Sequence, residues 1–142
     1  YEGGAHAYHA TMPTDALRHF RDALVEAEAF GLEALKEAQI RLGREVRELM
    51  DSYQYKSVAA TGFEAPSVVV CFAPNADIKT GKAFAAQGLQ IAAGVALECG
   101  EREDYASFRI GLFGMDKLTD IDRTVAHLET ALEGIRGQNA QA

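Results

Sequence analysis

The sequence predicts an α+β fold, a two-layer sandwich whose small, mostly antiparallel sheet carries helices on one face. Short apolar runs bounded by turn residues indicate strands at residues 56–59, 67–72, 89–93 and 108–112. Longer segments with apolar residues three and four positions apart indicate helices before, between and after these strands. The 142 residues, 48% of them hydrophobic, are enough for one small domain and an appendage of a neighbouring domain.

Two predicted helices precede the first strand. Thr14 is predicted to cap the first helix, because its hydroxyl can accept a hydrogen bond from an early helical amide. This helix carries an apolar stripe formed by Leu17, Phe20 and Leu24. The second helix is predicted over residues 32–50, where apolar residues recur at spacings of three, four and seven. We place a joint at Gly31, so that residues 1–30 form the tail of a large cofactor-binding domain and residues 31–142 form a small domain.

The middle of the chain predicts strands separated by turns and a short helix. The unbroken apolar run at residues 67–72 predicts a strand that is covered on both faces or lies at the centre of the sheet, with Cys71 in the core. Asn75 or Asp77 is then predicted to cap a short helix that ends at Gly88. Another short strand and an acidic loop follow.

An arginine interrupts the apolar run of residues 108–114, FRIGLFG. Alternation along a strand directs the apolar side chains towards the helices and leaves Arg109 and Gly111 on the outward face. A guanidinium beside a glycine has free volume next to it, and a planar carboxylate can accept two parallel hydrogen bonds from it. The strand therefore predicts either a carboxylate-binding cleft or an arginine on the solvated face of an antiparallel sheet.

The last predicted helix is the most regular in the sequence. Thr119 is placed to cap it, with Asp122 three residues later as in a capping box. The apolar residues step by four and three through Ile121, Val125, Leu128, Leu132 and Ile135. Gly137 is predicted to end the helix.

Charge and composition argue against several classes of partner. A net charge of −7 disfavours nucleic acid and anionic membrane surfaces, so small ligands are expected. No apolar run approaches the length that crosses a bilayer, and we expect no signal segment. Cys71 and Cys99 lie far apart without a CxxC pair, which favours reduced thiols in a cytoplasmic protein and no metal site.

Two segments in combination resemble one protein family. Residues 8–14, YHATMPT, precede a helix, and a small α+β unit ends in the run at 108–114 and a terminal helix. This order is similar to the C-terminal third of class V pyridoxal phosphate-dependent aminotransferases, above all the alanine- and serine-glyoxylate aminotransferases. The resemblance covers nearly the whole chain. It implies the fold-type I architecture and a homodimer with its active sites at the subunit interface.

The resemblance implies roles for three residues. Arg109 would bind the α-carboxylate of the substrate through two parallel hydrogen bonds, and Tyr8 and Thr11 would bind the phosphate of the cofactor in the other subunit's site. These roles suit the residue types, because tyrosine and threonine hydroxyls can donate to a phosphate and a fixed arginine distinguishes amino acids from simple amines. His9 adjoins these residues without an assigned role.

The same resemblance implies that the Schiff-base lysine, and the aspartate that pairs with the pyridinium nitrogen, lie upstream of Tyr1. The chain does not open with methionine, so we expect a piece of a longer protein, without a catalytic residue of its own and inactive by itself. The complete protein is expected to transfer an amino group from a small amino acid, such as alanine or serine, to a 2-oxo acid such as glyoxylate or pyruvate.

Two other functions remain open. A cysteine desulfurase also belongs to class V and uses a cysteine on a mobile loop, for which Cys99 is the candidate here, although the nearby acids disfavour its thiolate. A non-enzymatic module could instead present Arg109 to a small acid or to a partner protein. Sulfide release from cysteine by the complete protein would support the first function, and a reading frame that starts near the first residue would support the second.

Overall fold

The structure, a computed structural model, describes Gly4 and residues 11–139. The chain divides into two compact units, Tyr1–Leu32 and Glu33–Ala142. The first contains one long helix and the second contains the sheet. The assignment of the two parts to a large and a small domain of one enzyme stays a prediction.

Helix α1, Thr14–Phe30, has no buried residue. Its predicted apolar stripe is exposed and consists of Leu17, Phe20 and Leu24. Pro13 occupies the N-cap position without a side-chain hydrogen bond, so the prediction that Thr14 caps this helix is wrong. Thr14 lies in the first turn instead, where its amide donates to the carbonyl oxygen of Met12 over 2.8 Å.

Eight further elements follow α1 within the described residues. They are helix α2, Leu32–Ser52; strand β1, Val68–Phe72; helices α3, Ala76–Lys79, and α4, Lys82–Ala85; strands β2, Ala92–Ala93, and β3, Ser107–Gly111; and helices α5, Met115–Leu118, and α6, Ile121–Asn139. None of these helices, nor α1, combines the length and the apolar character that crossing a membrane requires.

The three strands form one antiparallel sheet in the order β1-β3-β2. The α+β class predicted from the sequence is therefore confirmed. The central strand is β3, whereas β1 lies at an edge and its outward-facing Phe72 is 46% exposed. Residues 67–72 are consequently neither at the centre of the sheet nor covered on both faces, and that prediction is wrong.

One face of the sheet shares a hydrophobic core with the helices of the second unit. Phe108, Ile110 and Leu112 are at most 8% exposed, in agreement with the predicted alternation along β3. The helices contribute Leu42, Val46 and Met50 from α2 and Leu128, Leu132 and Ile135 from α6. The Phe108 ring packs edge-on against Tyr55, with 5.4 Å between ring centroids. The core leaves the opposite face of β3 available for other contacts.

The short elements differ in extent from the predictions. Residues 56–59 do not form a strand, although Ser57 bridges to Cys71, and only Ala92–Ala93 of the predicted strand at 89–93 pairs with β3. Asn75 does cap α3, because its Oδ1 accepts from the amide of Ile78 over 2.9 Å.

Two further predicted helix boundaries differ from those in the structure. Gly81, with φ at +79°, separates α3 from α4, so the single helix predicted to end at Gly88 is wrong. The predicted capping box at the start of α6 is wrong too, because Thr119 ends α5 and its hydroxyl donates to the Met115 carbonyl oxygen over 2.9 Å. Asp120 takes the capping role by accepting from the Arg123 amide over 3.1 Å. Helix α6 continues beyond the predicted end at residue 137.

Cys71 and Cys99 lie in opposite environments. Cys71 is 1% exposed, and burial raises the pKa of its thiol to about 11, against a smaller lowering effect from the Arg47 guanidinium. Cys99 is exposed. Both are free thiols in this structure.

We expect a disulfide reagent to react quickly with the Cys99 thiol and to react with the Cys71 thiol only after the chain unfolds. At pH 8 a thiol with a pKa near 11 is ionised to about one part in a thousand, and the reagent must also reach it. Cys99→Ser should remove the fast phase in a colorimetric thiol titration, and Cys71→Ala should leave it unchanged. Two fast thiols in the native chain would contradict the buried position of Cys71.

Gly43 allows α2 to approach the backbone at Pro66. A Cβ at Gly43 would overlap the carbonyl oxygen of Pro66 and lie 2.8 Å from its Cα. Gly43→Ala should therefore lower the free energy of unfolding by about 1–3 kcal/mol, because overpacking against backbone outweighs the better helix propensity of alanine. Urea unfolding followed by circular dichroism measures this change.

Gly137→Ala is the matched control for this substitution. Both glycines lie in long helices, but a Cβ at Gly137 would meet open space. This variant should be stabilised by at most about 1 kcal/mol. If the two variants changed the unfolding free energy equally, the close approach of α2 to Pro66 would be disproved.

Candidate functional site

Arg109 lies in the middle of the central strand, on the face opposite the core. The sheet register pairs it with Val70 of β1 on one side and Ala92 of β2 on the other. Directly paired residues of antiparallel strands project from the same face, so these three side chains form one row across the sheet. Both neighbours are short and apolar, and neither offers the guanidinium a hydrogen-bond acceptor.

A backbone carbonyl orients the Arg109 guanidinium. Its Nε donates to the carbonyl oxygen of Ala93 over 3.1 Å. Among the described residues, no carboxylate forms an ion pair with Arg109. With Nε engaged, the donors on Nη1 and Nη2 remain in the parallel arrangement that a carboxylate accepts.

Gly111 does not leave the empty volume that the sequence predicted beside Arg109. A Cβ at Gly111 would lie 3.3 Å from two ring carbons of Phe113, so this ring occupies part of the space. Phe113 is itself 59% exposed. The Phe113 ring therefore covers part of the outward face at the end of β3.

Two buried hydroxyls lie before Arg109 in the chain. Ser107 shares the face of Arg109, is 2% exposed, and its Oγ has no hydrogen-bond partner among the described residues. The Oη of Tyr105 is also buried and lacks a partner there. Both residues line a cavity of about 580 Å³ that extends to Gly94 and Lys79. Buried hydroxyls without partners are unfavourable, so these two oxygens are unsatisfied polar atoms next to the strand that carries Arg109.

The loop between β2 and β3 folds around the carboxylate of Glu101. The amides of Leu97, Glu98 and Cys99 donate to it over 2.5, 2.9 and 2.9 Å. Left-handed φ angles at Glu98 and Gly100, +56° and +89°, accompany this convergence of amides. Hydrogen bonds from its own amide, and from those of Glu98 and Cys99, lower the pKa of Glu101 from 4.5 to about 2. The carboxylate is therefore ionised at neutral pH and organises the loop.

The residues predicted to bind the cofactor phosphate belong to the first unit. Thr11 is exposed, and its hydroxyl is chemically able to donate to a phosphate. Tyr8 and His9 lie outside the described residues. Arg109 belongs to the second unit, so neither unit by itself contains both Thr11 and Arg109.

None of the five lysines is buried. Three of them pair with nearby acids, in the pairs Lys36–Glu33, Lys82–Asp77 and Lys117–Asp116. The other two, Lys56 and Lys79, are exposed. The described residues therefore offer donors for a phosphate and for a substrate carboxylate, but no enclosed lysine that could hold pyridoxal phosphate.

Sequence reasoning missed the Ala93 carbonyl and the two buried hydroxyls. Alternation along β3 places Ser107 on the face of Arg109, so that residue could have been found from the sequence. The Ala93 carbonyl could not, because its position depends on the register between β2 and β3, and a two-residue strand has too few side chains to specify a register.

We expect the Glu101 carboxylate to stabilise the native state only while it is ionised. Its pKa in the folded chain, about 2, is below the ordinary 4.5, so its contribution is complete above about pH 4.5 and is lost as the pH falls towards 2. Glu101→Gln should be less stable than the native chain near neutral pH, and the difference should shrink between pH 4.5 and pH 2. Urea unfolding at several pH values measures this.

Carbon-13 NMR can measure the pKa of the Glu101 side-chain carboxyl directly. A pKa near 4.5 would show that the three amide hydrogen bonds do not stabilise the ionised carboxylate. Glu103→Gln is the matched control, because Glu103 is an exposed acid of the same loop that accepts none of these three amide hydrogen bonds.

Comparison with known proteins finds a likeness to one part of a larger enzyme. The chain is similar to the crystal structure of an alanine–glyoxylate aminotransferase from Nostoc sp., with a TM-score of 0.70 and 18% sequence identity. The match covers 91% of this chain and 33% of that chain, so this chain spans about one third of the length of its structural neighbour. No family model and no curated protein sequence matches it. The likeness shows the fold: a small α+β domain such as forms the C-terminal part of an aminotransferase.

Proposed function

We propose that this chain is the C-terminal portion of a class V pyridoxal phosphate-dependent aminotransferase, in which Arg109 binds the α-carboxylate of the amino-acid substrate. One observation carries the proposal: the guanidinium is oriented by a backbone carbonyl and has no acidic partner among the described residues. The fold shared with an alanine–glyoxylate aminotransferase supports it. In this proposal residues 1–30 end the large domain and residues 31–142 form the small domain.

The position of Arg109 suits an anion with two coplanar oxygens. The Ala93 carbonyl fixes Nε, which leaves Nη1 and Nη2 to donate in parallel, and a lysine at this position would provide only a point charge. Arg109 is half-buried, so water competes less for its donors than on an open surface. Amino acids and 2-oxo acids carry the same carboxylate beside the reacting carbon. One arginine can therefore position both substrates of a transamination.

The cofactor proposed for the complete protein is pyridoxal phosphate, which when bound supplies the electron sink for chemistry at the substrate's α-carbon. Tyr8 and Thr11 are proposed to donate hydrogen bonds from their hydroxyls to its phosphate, at the subunit interface of a homodimer. The lysine that holds it is proposed to lie upstream, because the lysines of this chain are exposed or half-buried. The 142-residue chain by itself is then inactive.

Small, uncharged side chains are the proposed substrate class, with alanine or serine as donor and glyoxylate or pyruvate as acceptor. The neighbour acts on alanine and glyoxylate by its name. In this chain the row that contains Arg109 also contains Val70 and Ala92, which offer no charged partner to an acidic or basic substrate side chain. The reduced cysteines favour a cytoplasmic location for the protein.

The desulfurase alternative has less support on this chain. Cys99 is exposed, but its amide donates to the carboxylate of Glu101, which holds this loop, whereas a desulfurase carries its cysteine on a mobile loop. The alternative of a non-enzymatic module that binds a small acid predicts carboxylate binding at Arg109 without cofactor binding by the complete protein.

The test uses the complete protein incubated with pyridoxal phosphate. Absorbance reports cofactor binding, and a screen with alanine, serine and aspartate identifies the donor that changes this absorbance. Arg109→Ala should retain the cofactor absorbance but raise the KM of the donor about 25-fold or more. This factor corresponds to at least about 2 kcal/mol for removing one partner of a partly desolvated ion pair.

Two further variants sharpen this test. Arg109→Lys keeps the charge without the parallel donors and should recover only part of the loss. Arg44→Ala removes an exposed arginine of α2, 3.9 Å from Glu48, and should leave KM unchanged. An unchanged KM in Arg109→Ala would reject the substrate role of Arg109, and failure of the complete protein to bind the cofactor would reject the enzyme and favour the small-acid module.

A further inference from the structure

The backbone hydrogen bonds of β3 alternate between its two neighbouring strands. On the β1 side, the amide of Leu112 donates to the carbonyl oxygen of Ser67 over 2.9 Å. On the β2 side, the amide of Gly94 donates to the carbonyl oxygen of Ser107 over 2.9 Å. Residues of antiparallel strands alternate between pairs that exchange backbone hydrogen bonds and pairs that do not. The even-numbered residues along β3 therefore bond to β1, and the odd-numbered residues, which include Arg109, bond to β2.

This alternation turns the backbone of Ala93 away from β3. Ala92 is paired with Arg109 and exchanges hydrogen bonds with it, so Ala93 directs both its N–H and its carbonyl group to the outer edge of β2. That carbonyl oxygen accepts from Arg109 Nε over 3.1 Å. The Arg109 side chain therefore crosses β2, on the face where Ala92 contributes only a methyl group, and its guanidinium lies at the outer edge of β2.

The amide of Ala93 lies at the same edge as this guanidinium. The N–H and C=O groups of one residue point the same way in an antiparallel strand, because paired residues exchange both hydrogen bonds. Ala93 is exposed, and no acceptor pairs with its N–H among the residues that the structure describes. The other edge of the sheet differs, because the outward carbonyl oxygen of Val70 accepts from the Val58 amide over 2.9 Å. The outer edge of β2 thus presents a backbone donor next to a cation.

We propose that the Ala93 amide is a further binding group of the candidate substrate site and donates to the carboxylate that Arg109 binds. A carboxylate has about four acceptor positions on its two oxygens, so it can accept from Nη1 and Nη2 and still accept a third hydrogen bond. A hydrogen bond from a backbone N–H to a carboxylate is charge-assisted. This inference rests on the proposed role of Arg109 and adds a backbone donor to the same site.

The groups at this edge distinguish a carboxylate from its amide. Nη1 and Nη2 of Arg109 and the N–H of Ala93 are all donors, and the carbonyl oxygen of Ala93 is already used by Nε. A primary amide has one acceptor oxygen and two N–H donors of its own. Its donors would face other donors, so the site favours the carboxylate over a neutral group of the same shape.

The test titrates the isotope-labelled 142-residue chain with two probes and follows proton and nitrogen chemical shifts by NMR. Propanoate has the carbon skeleton of alanine and a carboxylate, and propanamide is its neutral counterpart. With propanoate, we expect the Ala93 amide proton and the Arg109 Nε proton to shift and to saturate with one dissociation constant. Propanamide should bind at least about tenfold more weakly.

Two substitutions at position 93 isolate the amide. Ala93→Pro removes the N–H but keeps the carbonyl group that orients Arg109, and it breaks no hydrogen bond to β3 because this N–H points outward. It should weaken propanoate binding about tenfold, the effect of one hydrogen bond to a charged group. Ala93→Val is the matched control, because it keeps the amide and the extended backbone, and its propanoate binding should equal that of the native chain.

Three results would overturn the inference. A propanoate-dependent shift of Arg109 Nε without one of the Ala93 amide would show that Arg109 binds the carboxylate without this donor. Equal propanoate binding by Ala93→Pro and Ala93→Val, both folded by circular dichroism, would show that the amide contributes nothing. Absence of both shifts would reject the inference together with the carboxylate-binding role of Arg109.

The proposed enzymatic function fails by a different observation. If the complete protein does not bind pyridoxal phosphate while propanoate still shifts the Ala93 amide, the enzyme is rejected and the carboxylate site is retained.

Discussion

Strand β3 is hydrogen-bonded along both edges, and this pairing is the constraint on which the second unit depends. Its neighbour β1 pairs with all five residues of β3, and β2 pairs with Arg109 and Phe108 on the other side, so the middle of the strand has no free edge. The function of β3 therefore rests on its side chains and on the two faces they reach. Phe108 and Ile110 hold the helices on one face, while Arg109 stands on the other.

The two faces present their cations in different ways. Arg109 depends on a neighbouring strand, whose carbonyl fixes the direction of a single guanidinium above short apolar side chains. On the helix side, Lys117 of α5 and Arg123 of α6 each lie beside a carboxylate, at 3.5 Å from Asp116 and 3.7 Å from Asp120. The first arrangement is the one that we propose to select the planar shape of an acid group. The second pairs each cation with a carboxylate of the same chain.

The sequence predicted the features of this fold that depend on side-chain periodicity. The alternation around Arg109 and the helical spacing in α2 and α6 reflect burial of many residues at once, which makes such patterns reliable. Individual caps were harder to predict. Asp120 and Thr119 are adjacent and both can cap a helix, and the choice between them is made by where α5 ends.

The candidate site could be predicted from the sequence only where it depends on side-chain alternation along β3. Arg109 stands out because a charged residue in an apolar run is rare, whereas its orienting acceptor is a carbonyl that every residue possesses. The free volume expected at Gly111 is partly filled by Phe113, which lies only two residues further along the chain. A side chain's direction after a strand ends does not follow from alternation, so this contact could not be predicted.

Gly94 influences the orientation of the Arg109 guanidinium although it has no side chain. Its amide donates to the carbonyl oxygen of Ser107 over 2.9 Å, and a Cβ at this position would overlap the hydroxyl and the carbonyl oxygen of Ser107. Any larger residue would push β2 away from β3 and carry the adjacent Ala93 carbonyl with it. The orientation of the Arg109 guanidinium therefore depends on the absence of a side chain at position 94, and a larger residue there would lower the stability of the sheet as well as displace the acceptor.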